Sequence, residues 1–240
     1  MDYNNPQTPP PFHQFDGVTV KEQTNAVMKR VYLRMFIGLL VSAFCALGVA
    51  SSKTMQTLFF NQIVYWVMWI GMLVMAFMIP ARMHKMSTGA VLGWFIAFSA
   101  LMGISLARIF LAYDLDTIVY TFFITAGTFG AMSVYGYFTK TDLSKFGTYL
   151  VMALFGLIIA SLVNIFVGSS TFDWIISIVG VLVFVGLTAW DTQSVKRLAA
   201  QNLDPALADK LATMGAMNLY LDFINLFLYL LRIFGGSSRD

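Results

Sequence analysis

Seven long apolar segments run through this chain, and they constrain its fold more than any other feature. Each has about 20 residues, which is the length an α-helix needs to cross a hydrocarbon core about 30 Å thick. Only 11% of the 240 residues are charged, whereas soluble domains carry about 25%. The chain is therefore predicted to be an all-α integral membrane protein. Seven transmembrane helices are expected at about 31–50, 58–79, 89–109, 115–138, 146–167, 172–191 and 211–234.

The seven segments define one membrane domain, residues 26–236, between two polar ends. Residues 1–25 are rich in proline and polar side chains and lack the apolar centre of a signal peptide. We expect a disordered cytoplasmic tail there, and a short tail at 237–240. Residues 192–210 are expected to form the longest loop between two spans.

The distribution of basic residues predicts the orientation. With seven spans, the N-terminus shares one side with the loops after the second, fourth and sixth spans. That side holds ten of the 15 lysines and arginines, and the other side at most four. The positive-inside rule places the N-terminus in the cytoplasm and the C-terminus outside. The basic residues lie singly in short loops, so we expect no nucleic-acid partner.

The seventh span carries a stripe of polar side chains. Asn218, Asp222, Asn225, Tyr229 and Arg232 recur at steps of 4, 3, 4 and 3, which places them on one face of a helix. A carboxylate inside a membrane costs roughly 3 kcal/mol, so it is usually a functional group that faces protein or water. Asp222 is therefore a candidate functional residue. The alternative is a polar stripe that only holds a central helix in place.

A second carboxylate, Asp191, is predicted at the end of the sixth span, with Thr188 one turn before it. Successive helices usually lie side by side, so Asp191 and Asp222 are expected to meet. Alternatively, Asp191 is an interfacial group at a helix end. Two carboxyl groups in contact in a low-dielectric site resist being ionised together and share a proton. Such a pair would latch the two helices in a pH-dependent way.

The aspartate pair also suits a hard cation. Carboxylate oxygens are the ligands that Ca²⁺ prefers, and Thr188, Asn218 and Asn225 are candidates to add neutral oxygens. A basic side chain that reached the pair would stabilise its ionised form. The candidates are Arg82 after the second span and Lys196 or Arg197 after the sixth.

Two strings carry a family resemblance: LYLDFINLFLYLLRIFG in the seventh span and AWDTQSVKR at the end of the sixth. They resemble the Bax inhibitor-1 family, also called the transmembrane Bax inhibitor motif family, and most of all its bacterial members of the YetJ and YccA type. The resemblance covers roughly residues 24–236. It implies six helices around a central seventh, and a pH-sensitive calcium leak gated by an aspartate pair that Asp191 and Asp222 match. It also implies a basic residue at the inner end of the second span, here Arg82, and the plasma (inner) membrane of a prokaryote.

Three classes of function come into question: a transport protein, an enzyme and an interaction protein. The leading one is a passive, pH-sensitive Ca²⁺ channel, since no GxxxxGK[ST] fuel site is present. A proton-coupled transporter ranks lower because no inverted repeat is evident. An intramembrane aspartyl protease would need a GxGD motif, whose glycines are absent around Asp222, so no enzyme is predicted. The third is an interaction protein that modulates a membrane protease or a stress response through residues 1–25. The expected partners are the bilayer, Ca²⁺ and H⁺, with no cofactor beyond Ca²⁺ itself.

Overall fold

A computed structural model describes residues 17–201 and 203–236, and all the regular structure in these residues is helical. A short 3-10 turn, Met83–Lys85, follows the third helix. The helices are α1 Gly17–Ala50, α2 Lys53–Phe59, α3 Gln62–Arg82, α4 Thr88–Leu106, α5 Ile109–Ala112, α6 Leu115–Phe138, α7 Ser144–Val167, α8 Ser170–Ala199 and α9 Pro205–Gly236. Seven spans are long and apolar enough to cross a membrane: α1, α3, α4 with α5, α6, α7, α8 and α9. The prediction of an all-α protein with seven membrane spans is confirmed.

The first helix begins earlier than predicted. α1 starts at Gly17, so residues 17–25, which we assigned to a disordered tail, are helical. The side chain of Gln23 donates a hydrogen bond to the carbonyl oxygen of Leu203, at 2.9 Å, and so ties the start of α1 to the residues before α9. Polarity marks where the membrane ends, but it does not end a helix that has protein contacts beyond the bilayer. The rest of both predicted tails, residues 1–16 and 237–240, lies outside the described residues.

The predicted loop at residues 192–210 is wrong. α8 continues to Ala199 and α9 begins at Pro205, so the connection is only residues 200–204. Asp204 caps α9, because its side-chain oxygen accepts hydrogen bonds from two backbone N–H groups of the first turn, each at 3.0 Å. Proline suits the first helical position. Asp191 therefore lies about 12 Å from the end of α8, at 1.5 Å per residue, and not at its end.

The remaining spans differ from the prediction by a few residues. The second starts at Gln62 because Lys53–Phe59 forms a separate helix, and it continues past Pro80 to Arg82. The third is Thr88–Leu106, where 89–109 was predicted. The fourth matches its predicted range of 115–138. The fifth starts two residues before its predicted start and ends at Val167. Gly168 follows it with a positive φ of 65°, which suits glycine.

α9 lies at the centre of the bundle. It is the most buried of the seven spans, and α7 is the least buried. α9 packs most extensively against α8 and α1, and also against α6 and α4. α3 packs mainly on α4, and α7 packs on α8. Four helices therefore surround α9 and two stand outside them, where the resemblance implied a ring of six.

Two glycines allow the surrounding helices to approach one another closely. A Cβ atom at Gly103 of α4 would overlap the backbone of Ser42 in α1, and one at Gly136 of α6 would overlap the backbone of Ala189 in α8. Only glycine, which has no Cβ, fits at such contacts. The two contacts join α4 to α1 and α6 to α8, and so close the packing around α9.

Candidate functional site

The structure brings Asp191 of α8 and Asp222 of α9 together. Their carboxyl groups lie within hydrogen-bonding distance of each other. Both side chains are buried, with Asp191 8% exposed and Asp222 5% exposed. A hydrogen bond between two carboxyl groups needs a proton on one of them, because an ionised carboxylate only accepts. A hydrogen bond between the two carboxyl groups would therefore join the central helix to α8 through a proton.

Little else satisfies the pair. Asp222 Oδ2 is buried and has no hydrogen-bond donor among the described residues. The hydroxyl group of Thr188, which we expected to support the pair, donates to the carbonyl oxygen of Phe184 in its own helix at 2.8 Å. The hydroxyl group of Thr192, next to Asp191, is buried without a hydrogen-bond partner in the described residues. Polar groups in such a site gain much from any partner, so these two oxygens are suited to bind a water molecule or a cation.

The polar stripe of α9 reaches α8 at some of its positions only. Asn218 is exposed, and the amide group of Asn225 donates to the carbonyl oxygen of Leu221 in its own helix at 2.8 Å. Tyr229 stacks on Phe184 of α8, with ring centroids 5.8 Å apart. At the end of the stripe, Arg232 forms an exposed ion pair of 3.6 Å with Asp173. The stripe faces α8 through Asp222, Tyr229 and Arg232, whereas its two asparagines make no hydrogen bond to the aspartate pair in the described part of the chain.

The structure does not bring the predicted basic residues to the pair. Arg82 is exposed at the end of α3, a helix that packs mainly on α4 and not on α8 or α9. Lys196 donates to the carbonyl oxygen of Tyr137 at 2.6 Å. Arg197 forms an ion pair of 2.6 Å with Asp142. None of the ion pairs among the described residues includes either aspartate of the pair.

The pair alone is a sparse cation site. Within the described residues, no group of three or more His, Cys, Asp or Glu side chains is placed to hold a metal ion. Two carboxylates supply at most four oxygens, and Ca²⁺ takes 6–8 oxygen ligands in proteins. Two carboxylates alone therefore supply fewer oxygens than a resident Ca²⁺ ion takes.

A family model described as inhibitor of apoptosis-promoting Bax1 matches residues 24–239. The chain belongs to the Bax inhibitor-1 family. This confirms the family predicted from the strings around Asp191 and Asp222.

Three relatives match most of the length of this chain. The inner membrane protein YbhL of Escherichia coli is 46% identical over 212 residues, which cover 87% of this chain and 91% of that protein. An uncharacterized protein of Borreliella burgdorferi is 43% identical, with 90% of this chain and 94% of that protein covered. The uncharacterized protein RP147 of Rickettsia prowazekii is 40% identical, with 92% and 94% covered. The chain is a multi-pass membrane protein of this family.

Sequence reasoning missed a second polar contact of α9 in this Bax inhibitor-1 family member. The hydroxyl group of Tyr220, a fully buried side chain, lies 2.7 Å from the hydroxyl oxygen of Ser42 in α1. The Ser42 hydroxyl group also lies 2.7 Å from the carbonyl oxygen of Ser99 in α4. Three helices therefore meet at one hydroxyl group. Tyr220 lies off the polar stripe. Ser42 recurs with Gly38 and Ala46 at every fourth position of α1, a spacing that predicts close helix packing and not a hydrogen bond.

An ion pair near the start of α9 was missed as well. Arg34 of α1 binds the Asp209 carboxylate at 2.5 Å, the Asp209 carbonyl oxygen at 2.6 Å and the hydroxyl group of Thr213 at 2.7 Å. Arg30, one turn earlier, lies 3.4 Å from the same carboxylate. The opposite charges at the start of the first and last spans were the available signal, since both starts lie on the same predicted side of the membrane.

At that same end of the bundle, Asp142 precedes α7. Hydrogen bonds from the backbone N–H of Ser144 and from Arg197 lower the pKa of Asp142 from its ordinary value of 3.8 to about 2. The carboxylate is therefore ionised at any physiological pH and holds Arg197 at the end of α8.

Proposed function

We propose that this Bax inhibitor-1 family member is a passive, pH-sensitive Ca²⁺ leak channel whose gate is the pair of Asp191 and Asp222. The observation that supports the proposal most is the direct contact of two buried carboxyl groups between α8 and the central helix α9. Carboxylates at such a depth are costly and usually mark ion or proton pathways. The proposal includes no catalytic step.

The protonation of the pair would set the strength of the contact between α8 and α9. With one shared proton, a carboxylic acid donates to a carboxylate, and this charge-assisted hydrogen bond is about twice as strong as a neutral one. Loss of that proton leaves two negative charges in contact inside a low-dielectric bundle. A second proton removes the charge and leaves a weaker neutral bond. We therefore expect the leak to be lowest when the pair holds one proton and higher on either side of that state.

Ca²⁺ would enter this scheme as cargo. An ionised pair offers hard oxygen ligands that compete with the proton for the same atoms. Because the pair supplies at most four oxygens, the ion would keep several water molecules and leave again, as conduction requires. Opening by separation of α8 from α9 would provide the space for this hydrated ion.

The test is Ca²⁺ flux into proteoliposomes across about pH 5 to 8. Because the two carboxyl groups interact, they are expected to titrate as one unit. Asp222→Asn and Asp191→Asn each replace a titrating carboxyl by an amide, which donates to the remaining carboxyl group at every pH. We expect both variants to lose most of the pH response. Asp116→Asn removes an exposed carboxylate of α6 that takes part in no ion pair among the described residues, and it serves as the matched control, with the wild-type response expected. An unchanged pH response in both pair variants would rule out the gate.

The proposal includes a location and an orientation. We propose the inner membrane of a bacterium, in keeping with the name of the relative, inner membrane protein YbhL, with the N-terminus cytoplasmic and the C-terminus outside. The support is the excess of basic residues at the end of the bundle where α1 begins. Reporter fusions at both termini test it, and a cytoplasmic C-terminus would contradict it. The alternative role, modulation of a membrane protease or of a stress response, depends on residues 1–25 and stays a prediction.

A further inference from the structure

A basic cavity lies at the end of the bundle where α1 begins, away from the aspartate pair. It has a volume of about 640 Å³ and is bounded by the first turns of α1, by the end of α6 with the residues after it, and by the last turns of α8. A hydrogen bond of 2.7 Å from the hydroxyl group of Tyr137 to Asn25 joins two of its walls. The cavity is therefore built by three helices and is not a feature of one loop.

Four positively charged side chains line this cavity, and no aspartate or glutamate is among the described residues that line it. The cations are Lys21, Lys140, Lys196 and Arg197. Arg197 is neutralised by Asp142, whereas Lys196 contacts only neutral groups, the carbonyl oxygen and the ring of Tyr137. Neither Lys21 nor Lys140 takes part in any ion pair among the described residues. Three lysines that form no ion pair within the described part of the chain surround one cavity, which makes it a site for an anion.

The surroundings of the cavity indicate which anion fits. Phe138, which lines the cavity, is 72% exposed, and Val134 one turn earlier on α6 is 58% exposed. On the other wall, Leu198 of α8 is 43% exposed. In a membrane-spanning bundle such apolar side chains face acyl chains. A basic cradle next to an acyl-facing surface matches a molecule with a charged head and two apolar tails better than a soluble anion.

We propose that this cavity binds the phosphate headgroup of an anionic phospholipid. The lysines hold the phosphate, the amide group of Asn25 and the hydroxyl group of Thr139 are placed to contact the rest of the headgroup, and the tails lie along α6. Basic pockets between transmembrane helices at the cytoplasmic face recognise headgroups in this way. The inference does not depend on the gate, because neither Asp191 nor Asp222 lines the cavity.

The test is native mass spectrometry of the full-length protein in detergent, titrated with phosphatidylglycerol and, separately, with the neutral lipid phosphatidylcholine. We expect tighter binding of phosphatidylglycerol. The double variant Lys21→Gln and Lys140→Gln should weaken it about fivefold per lysine, about 25-fold in all. The matched control is Lys29→Gln with Lys85→Gln, which removes the same charge from exposed positions outside the cavity. We expect the control to bind as the wild type does.

Two results would overturn the proposal. Equal weakening in both double variants would show that phosphatidylglycerol responds to the general charge of the protein surface and not to the cavity. Displacement of phosphatidylglycerol by equimolar glycerol 1-phosphate would show that the cavity takes a soluble phosphate and not a lipid. The four lysines substituted in the two double variants are all exposed, so we expect unchanged unfolding temperatures. This measurement separates loss of lipid binding from loss of fold.

Discussion

Removal of one hydroxyl group tests how the central helix is held by α1. The hydroxyl group of Tyr220 lies 2.7 Å from the hydroxyl oxygen of Ser42, whose own proton is directed to the carbonyl oxygen of Ser99 at 2.7 Å or of Gly38 at 3.0 Å. A carbonyl group only accepts, so Ser42 is the donor to it and Tyr220 is the donor to Ser42. Because the hydrogen bonds run in this direction, removal of the Tyr220 hydroxyl group and removal of the Ser42 hydroxyl group should cost different amounts of stability.

The structure gives the expected magnitudes. Tyr220→Phe removes the donor but leaves Ser42 with its carbonyl partner, and the ring keeps its edge contacts with Phe95 and Phe98 at 5.7 and 6.2 Å between centroids. We expect a cost of about 1 kcal/mol, the net worth of one hydrogen bond. Ser42→Ala instead leaves the Tyr220 hydroxyl group buried without a partner, which costs about 1–3 kcal/mol. The double variant should cost less than the sum, because the second change removes the group that the first one left unpaired.

Thermal unfolding in detergent measures these differences. For a chain of this size, 1 kcal/mol corresponds to about 2–4 °C in the unfolding temperature. Tyr149→Phe is the control, since this tyrosine of α7 is 70% exposed and its change should leave the unfolding temperature as it is. If Tyr220→Phe lowered the temperature more than Ser42→Ala, or if the two effects added, the proposed direction of the hydrogen bonds would be wrong.

Three other changes have expected outcomes. Gly103→Ala places a methyl group on the backbone of α1 and should cost about 1–3 kcal/mol of stability, seen as a lower unfolding temperature. Asp209→Asn breaks its ion pair with Arg34, whose side chain is 14% exposed, and should cost about 2–3 kcal/mol, below the range for fully buried pairs because some solvent reaches it. Hydrogen bonds, first that from the backbone N–H of Ser144, lower the pKa of Asp142 to about 2. The stability from this depressed pKa is present above pH 3.8 and is lost as pH falls through about 2. A ¹³C titration of the carboxyl group measures this pKa.

Each of these three has its own control. A Cβ atom at Gly127 meets open space, so Gly127→Ala should be harmless, and equal costs at both glycines would contradict the close contact of α4 with α1. Asp173→Asn breaks an exposed ion pair and should cost less than 1 kcal/mol, whereas parity with Asp209→Asn would show that burial of the Arg34 pair adds nothing. A titration of Asp142 with a midpoint near 4 would contradict the hydrogen bonds assigned to its carboxylate.

The sequence predicted the number of spans but not where the long helices end. An apolar segment of about 20 residues marks the part of a helix that lipid contacts, because lipid excludes polar side chains from that length alone. Beyond the apolar segment, the last two turns of α8 are held by protein contacts such as those of Gln193, which accepts a hydrogen bond from the backbone N–H of Leu143 at 2.9 Å. Such contacts join residues far apart in the chain, and hydropathy does not report them.

The same limit applies to the candidate site. Periodicity placed Asp222 on a face, and the rule that successive helices lie side by side supplied α8 as its neighbour. Neither periodicity nor the neighbour rule shows how many residues the contact between α8 and α9 includes, or which hydrogen-bond partner an asparagine side chain takes. Asn225 therefore fell on the predicted stripe but bonds within its own helix. Arg82 was a candidate because it follows the second span and because the resemblance implied it, and the outer position of α3 keeps it away from the pair.

The central position of α9 explains why it can carry polar groups toward two different neighbours. A span that faces lipid would leave such groups unpaired, whereas α9 is packed by α1, α4, α6 and α8, which can pair with its polar groups. Toward α1 it presents Asp209 and Tyr220, whose partners are an arginine and a serine and do not depend on a shared proton. Toward α8 it presents Asp222, whose bond requires one. If the pair is the gate as proposed, a change in pH releases α8 while α1 keeps its hold on α9. Opening is then expected as a movement of α8 against a fixed α1 and α9, and distances between spin labels on these three helices would show it.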